Sequence, residues 1–473
     1  MNKIELNFIL VISCSKLQRY KLKQTKDLAE KNIRSLLLSY YVPAFVAVIT
    51  SALYNIVGRI FIGQGVGHAA LSGLTVVFPV MIIIMGFGML FGIGSGIMTS
   101  IALGRRDKAH AEKVLGNALT LMISVSVMLT VTGFIIKVPL LKSFGATPET
   151  IGYANDYLNI ILLGTVFGIT GYGLNSSIRS EGNARIAMNS MLISISINIV
   201  LDAVFIFGLN MGVKGAALGT VIAQFVLALL VIVHFRRSKS VIQLHLYNMN
   251  PDKKIIIGIV SSGMAPFVMQ IANSIVQGVF NTQLIKYGGD ISVAVMGIIN
   301  SVGTLFIMSV VALNMAAQPI ISYNYSAGNY KRVRETLNLA VKYATVLSVT
   351  AFIIGEVFPH WIILMFNNNE ELIAKGVPAM RIFMMMLPAV GFQVIASNYF
   401  QSTGKVYLAT TMTLTRQVLF LLPLLFIFPR IFGLNGIWIS TPISDGLNAV
   451  FVFYILRRSV KHIDSLIANG SVT

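Results

Sequence analysis

Ser190, Ser194, Asn198 and Asp202 recur at every fourth residue in a segment otherwise built mainly of Ile, Leu, Met and Val. On an α-helix that spacing stacks them into a single stripe. Hydroxyls, an amide and a carboxylate in one line suit a water-filled path rather than lipid. A charge at mid-bilayer costs on the order of 2.5–3.5 kcal/mol on insertion scales, so an acid there marks a functional site. Burial disfavours the ionised carboxylate, so Asp202 is expected to hold a proton near neutral pH and to yield it when water or a cation arrives. The plainer alternative is a helix-packing Asp hydrogen-bonded to a neighbour.

Other polar residues lie in apolar runs. Gln270, Asn273, Gln277 and Asn281 follow helical spacing, and Asn314 and Gln318 stand one turn apart. With Ser194 these are candidates for lining a substrate pathway. Amides of this kind also tie helices together, at about 0.6 kcal/mol per interhelical bond, and both readings stay open. Asp445, in Ser444-Asp445-Gly446, has Arg416 as its expected partner, because intramembrane charges tend to pair; a second titrating site is the alternative. Consecutive Met384, Met385 and Met386 suit either a wall that repacks around varied ligands or plain filler.

The elements that must position these residues follow from composition. Of 473 residues, 55% are hydrophobic and 11% charged, against about 25% charged in soluble proteins; mean hydropathy is +0.78. A bilayer core needs about 20 apolar residues per helix. Twelve runs qualify, near 38–63, 74–99, 116–136, 155–178, 188–208, 214–235, 257–283, 293–321, 340–363, 378–400, 408–429 and 434–456. They are too long and too uniformly apolar for barrel strands. The fold class is therefore an all-α integral membrane protein with twelve transmembrane helices.

Net charge is +19, and its placement speaks for a membrane rather than a nucleic acid. By span assignment, roughly 27 Lys and Arg fall on one side and 8 on the other, with Arg416 inside a helix, which places both termini in the cytoplasm. No aromatic-interleaved basic patch occurs. The expected division is a loose cytoplasmic segment 1–37, a first lobe 38–235, a cytoplasmic linker 236–256, a second lobe 257–456 and a cytoplasmic tail 457–473. Val11-Ile12-Ser13-Cys14 imitates a lipoprotein cleavage box, but cleavage would put the following basic stretch outside, and the apolar run is short for a signal peptide. A disordered leader is expected there. Cys14 is the single cysteine, which leaves no internal disulfide and no Cys metal cluster. No zinc-protease, nucleophile-elbow or phosphate-loop motif points to an enzyme or an ATP site.

The halves are copies at an offset of roughly 221–224 residues, like the parallel repeats of transporters that rock two lobes about a central site. Gly212-Val213-Lys214-Gly215 before Thr220 matches Gly433-Leu434-Asn435-Gly436 before Thr441. Ser180-Glu181-Gly182 with Ala187 matches Ser402-Thr403-Gly404 with Ala409. The copy breaks at Asp202: Asn198 to Asp202 correspond to Leu419 to Pro423, which carry no acid.

From about residue 35 to 458 the chain resembles the multidrug and toxic compound extrusion (MATE) family, in its bacterial MepA-like branch. The resemblance rests on Leu53-Tyr54-Asn55-Ile56-Val57 running into Arg59-Ile60-Phe61-Ile62-Gly63, and on Arg179-Ser180-Glu181-Gly182-Asn183. It rests also on Asn198 to Asp202, Gly215-Ala216-Ala217-Leu218-Gly219-Thr220, and Gln318-Pro319 leading to Tyr323-Asn324-Tyr325. It implies the MATE-type fold of the MOP superfamily and export of amphipathic, often cationic small molecules in exchange for protons or sodium ions. It maps the coupling positions to Asp202, Asn198, Thr220 and Asn175. The family often carries an acid in span one, as Asn-x-x-Asp. Here that stretch is Asn55-Ile56-Val57-Gly58, and the acids that NorM-type members carry in spans seven and eight are also missing. A hard cation wants several oxygen ligands, so the proton is the expected coupling ion, with sodium at Asp202 as the alternative. No cofactor is expected. The partners are the bilayer and the cargo, the location a bacterial plasma membrane, and the state a monomer. The rival is a lipid-linked saccharide flippase of the same superfamily, which would want a cationic cavity. The major-facilitator loop pattern is not matched by Gly104-Arg105-Arg106-Asp107.

Overall fold

The computed structural model describes residues 27–144, 146–238, 240–366 and 369–468; the Cys14 box and most of the expected leader lie outside them. Among the described residues every regular element is a helix. Eleven helices are long and apolar enough to cross a bilayer. A twelfth crossing is the pair Glu370–Met384 and Leu387–Ser402, bent by 43°. Spans one to six are Ile33–Gly65, Ser72–Gly104, Lys108–Ser143, Ile151–Ser180, Ala184–Gly208 and Gly212–Arg236. Spans seven to nine are Lys253–Gly289, Ile291–Ser326 and Tyr330–Val357; span ten is the bent pair; spans eleven and twelve are Val406–Phe432 and Leu434–Ala468.

Short polar residues start these helices by accepting free backbone N–H groups. Asn32 Oδ1 accepts from Arg34 N–H at 3.0 Å, Asp107 from His110 N–H at 2.9 Å, and Asp252 from Lys254 N–H at 2.8 Å. The repeat shows in the backbone itself. Gly212 and Gly433 each hold φ at +58°, and Gly182 and Gly404 stand at +108° and +78°. Both pairs occupy the left-handed region that glycine reaches without strain.

Several boundaries differ from those expected. Span one starts at Ile33 rather than 38, and Leu28, Ile33, Leu36 and Leu37 are buried, so residues 27–37 are not a loose segment. Apolar Leu36 to Leu38 continue the helix and extend the run beyond the lipid-length window. Span twelve runs to Ala468, so 457–468 is helical; Asp464 holds Arg334 at 3.2 Å. Span ten breaks at Met385 and Met386, where Pro388 follows within the first turn of the next helix and has no N–H to continue the ladder.

The chain divides into two compact units, and the division falls inside span seven. Of the described residues, one unit takes those up to Met264 together with Ser322–Ala327, and the other takes Ala265–Ile321 and those from Gly328 on. Each has its own apolar core, around Val77, Leu158 and Ile206 in the first and around Phe280, Met380 and Trp438 in the second. Large apolar side chains on the outside, such as Ile135 and Leu163 in the first unit and Val450 in the second, suit the lipid that a crossing helix meets. Packing in the first unit explains the position of the boundary. A Cβ on Gly263 would collide with the Leu90 carbonyl, and one on Gly94 with the Ile259 carbonyl. Spans two and seven therefore touch backbone to backbone through small residues, as membrane helices do where no hydrophobic force draws them together.

The connector 237–252 is also bound rather than free. Glu181, fully buried, accepts from the Ser240 hydroxyl at 2.6 Å, Val241 N–H at 3.0 Å and Asn183 Nδ2 at 2.7 Å, and it pairs with His234 Nε2. Gln243 N–H donates to Glu112 at 3.0 Å, and Asp252 N–H donates to Asn117 at 2.7 Å. Val241 and Ile242 are buried.

Two outcomes follow from this packing. Gly263→Val should destabilise the folded chain by about 1–3 kcal/mol through overpacking, read as a lower midpoint in detergent thermal unfolding. Glu181→Ala should leave buried donors without an acceptor, and limited proteolysis should then cut within 237–252 several times faster than in the parent.

Candidate ion and substrate site

Span five places its stripe inward. Ser190, Ser194, Asn198 and Asp202 are all buried, along with Ala187, Met191 and Ile195 on the same side. Ser194 donates to the Ala223 carbonyl of span six at 2.7 Å, which sets the two helices face to face. Immediately after Asp202 the helix widens into a π-helical turn, Val204–Gly208. Such turns interrupt the regular ladder and recur at functional positions.

Asp202 is 4% exposed. Asn198 Nδ2 donates to its Oδ1 at 3.2 Å. Two glycines make room for the carboxylate. A Cβ on Gly219 of span six would overlap Oδ1, and a Cβ on Gly58 of span one would sit 3.9 Å from Oδ2. Position 58 is where the expected Asn-x-x-Asp pattern would have carried its acid, so that acid would have faced Asp202. No cation is placed against Asp202 among the described ion pairs. Asn198 Oδ1 is buried without a donor.

One turn along the stripe, a cavity of about 210 Å³ is lined by Tyr54, Tyr172, Ser194, Ile195, Asn198, Thr220, Ala223 and Gln224. Much of that space is open, and the enclosed part has room for about a single water beside Asn198, far less than a drug-sized ligand takes. Thr220 donates to the Ala216 carbonyl at 3.0 Å, and the Tyr157 hydroxyl meets the Thr220 side chain. Thr220 and Asn198 thus stand together in one cavity, with Asp202 one turn from Asn198.

Asn175 does not join them. Its Nδ2 donates to the Ala187 carbonyl at 3.0 Å, and its Oδ1 accepts from Arg179 at 2.6 Å. Ala187 precedes Asp202 by about 22 Å along the helix axis. Asn175 therefore ties span four to the first turn of span five and holds Arg179.

The amides of spans seven and eight lie in the other unit. Asn273 Oδ1 accepts from Gln417 Nε2 at 2.7 Å, and the Asn314 carbonyl accepts from Asn398 Nδ2 at 3.3 Å. The Asn273 side chain is thus an interhelical tie, whereas Asn314 is held through its backbone and its Oδ1 is buried without a donor. Gln270 and Asn281 are half-buried, Gln277 is exposed and Gln318 is buried. Asp445 meets Arg416 Nε at 2.6 Å. Among the described residues no group of three or more His, Cys, Asp or Glu gathers to hold a metal ion.

Sequence reasoning missed the tyrosines and Gln224. Gln224 lies one turn after Thr220, a spacing that would have disclosed it. Tyr54 and Tyr172 gave no polar signal, since a tyrosine in an apolar run reads as core. Gln393 and Asn448 were also missed: neither has another amide one turn away in its own run, and they find each other only across helices.

Comparison with known proteins agrees with this architecture. The MatE family profile matches residues 43–204 and 266–427, once in each half. The multidrug export protein MepA of Staphylococcus saprophyticus is 28% identical over 424 residues, 89% of this chain and 93% of its own. The solved structure of the MATE multidrug transporter DinF-BH is 39% identical with a TM-score of 0.85, covering 91% of this chain and 96% of its own. A MOP-superfamily transporter from Pyrococcus furiosus, 24% identical, has the same fold at a TM-score of 0.87 over 93% of this chain and 98% of its own. A profile that recurs in both halves, twelve crossings and the equivalent glycine turns agree: this chain belongs to the MatE family and is a multi-pass membrane transporter rather than an enzyme.

Proposed function

We propose that the chain exports amphipathic, often cationic compounds in exchange for protons, and that Asp202 is the coupling carboxylate. The observation that carries this reading is a buried acid with no cationic partner among the described ion pairs, one helical turn from an amide oxygen that lacks a donor. Export of varied compounds rests on the resemblance to the MepA and DinF-BH transporters.

The chemistry of the pair favours a proton. Ionised, Asp202 accepts from Asn198 Nδ2 and offers nothing to Asn198 Oδ1. Protonated, it gains an O–H that can answer that oxygen, so the acid and the amide satisfy each other in both directions. Loading a proton therefore removes a buried charge and fills an unmet acceptor together, and it loosens the hold on a cation. Unloading it restores the charge and the affinity. Gly58 supports the same choice: a single carboxylate supplies fewer oxygens than a hard cation prefers. The membrane potential adds about 2.3 kcal/mol per charge per 100 mV. The exchange needs no organic cofactor. The basic connectors support a cytoplasmic location for both termini, and a site contained within one chain is consistent with a monomer. A flippase handling a pyrophosphate would want free cations inside the spans, and Arg416, within span eleven, is taken up by Asp445.

In proteoliposomes loaded with a fluorescent organic cation, an imposed pH gradient should drive efflux, and a sodium gradient alone should not. Asp202→Asn should abolish that efflux with insertion unchanged; full transport by the variant would refute the assignment. Raising the pH on the release side should slow wild-type export, because Asp202 is then loaded with a proton less often. Gly58→Asp, which sets a second carboxylate against the first, should make transport respond to sodium.

A further inference from the structure

The second lobe carries a buried polar cluster that the exchange at Asp202 does not use. Its position follows from the repeat. Thr441 stands 221 residues after Thr220, and at that offset Asp445 corresponds to Gln224; Ser194 falls on Thr415 at the offset of 221 and on the adjacent Arg416 at the offset of 222 that relates Ala187 to Ala409. The hydrogen bonds favour Arg416, although the donor sits on the opposite helix in the two lobes. In the first lobe Ser194 donates to the Ala223 carbonyl; in the second, Ser444, the equivalent of Ala223, donates to the Arg416 carbonyl at 2.9 Å. The ion pair of the second lobe thus occupies the place where the first lobe has its cavity, lined by Ser194, Thr220 and Gln224.

The surroundings of that pair are rich in unanswered oxygens. Gln417 Oε1, Asn448 Oδ1 and Thr441 Oγ1 are buried without partners, in residues 6%, 2% and 6% exposed. Thr441 and Asn448 lie one turn on either side of Asp445, on its face of span twelve. Gln417 adjoins Arg416 in a π-helical turn of span eleven, Thr415–Leu421. Gln393 holds the Asp445 carbonyl at 2.9 Å and ties it to Asn448. A carboxylate with buried acceptors around it calls for donors, and therefore for a cation. Arg416 supplies one through Nε, yet its side chain is 25% exposed against 6% for Asp445, so the guanidinium reaches into the site from a more open position.

We propose that Asp445, Gln417, Asn448 and Thr441 form a second cation site whose resident is the tethered guanidinium of Arg416, and that an alkylammonium or guanidinium group of a cargo takes over Asp445 when Arg416 swings aside. This rests on the reading of the chain as an exporter of cations. It gives the two lobes matched sites with different occupants: a mobile ion in the first, and a side chain in the second that a cargo can replace.

The test uses the full chain in detergent, with the first site silenced by Asp202→Asn, and ethidium as the probe by fluorescence anisotropy. Adding Arg416→Met should tighten ethidium binding by about tenfold, since one competitor for a buried carboxylate is removed; further adding Asp445→Asn should cancel that gain. Millimolar methylguanidinium should raise the unfolding temperature of the Arg416→Met variant, and not that of the variant that also carries Asp445→Asn. Because Arg416→Met leaves a buried charge alone, Arg416→Lys, which keeps a cation but loses the fork, is measured beside it and should bind ethidium more tightly than the parent. Unchanged affinity in both Arg416 variants, or a gain that survives Asp445→Asn, would overturn the second site. Wild-type protein that neither binds nor exports ethidium would instead count against the exporter reading.

Discussion

An ionisable group inside a lipid-spanning helix has to be answered by something, because the hydrocarbon around it offers no water. The two lobes answer in different ways. In the second, Asp445 has Arg416 at 2.6 Å, and the charge is settled within the chain. In the first, Asp202 has an amide, two glycines and no cation among the described ion pairs. An acid left in that condition is stable when a proton or a travelling cation completes it. Exchange follows from that incompleteness, and the rest of the structure serves to maintain and move it.

The frame around the site is built from small residues and a repeated turn. Gly219 lets span six close against the Asp202 carboxylate, and Gly58 leaves span one without a side chain over it. The left-handed turns at Gly212 and Gly433 start spans six and twelve identically, so Thr220 and Thr441 arrive at corresponding positions. What differs is the partner helix. Span five brings a serine and then the acid; span eleven brings Arg416 and Gln417. Duplication supplied one scaffold, and the change of charge on facing helices gave each copy its own chemistry. The π-helical turns fall in these same two helices, at Val204–Gly208 and Thr415–Leu421.

Much of this was legible in the chain before any coordinates. The four-residue spacing of Ser190 to Asp202 announced an inward stripe, since period and burial are linked by helix geometry alone. Hydropathy disclosed the crossings, and the partner expected for Asp445 is the one that it meets. Features that depend on contacts between distant segments were not legible. The connector was legible only as a cytoplasmic linker, and its partners were not; only the fold brings Glu181 to Ser240 and Val241. Asn175 looked like a site residue by resemblance, yet its hydrogen bonds go to Ala187 and Arg179. The amides of spans seven and eight carried two readings, and for Asn273 the choice depended on Gln417, which lies more than 80 residues away in sequence.

The central claim is that a cation and a proton compete for one carboxylate. The most direct measurement is proton release on cargo binding, followed with a pH indicator in weakly buffered detergent solution of the full chain near neutral pH. The account predicts that saturating organic cation releases protons from the wild type, and that Asp202→Asn loses that release while remaining folded. Release of the same size in the Asp202→Asn protein, or cation binding by the wild type with no proton released at any pH, would contradict it.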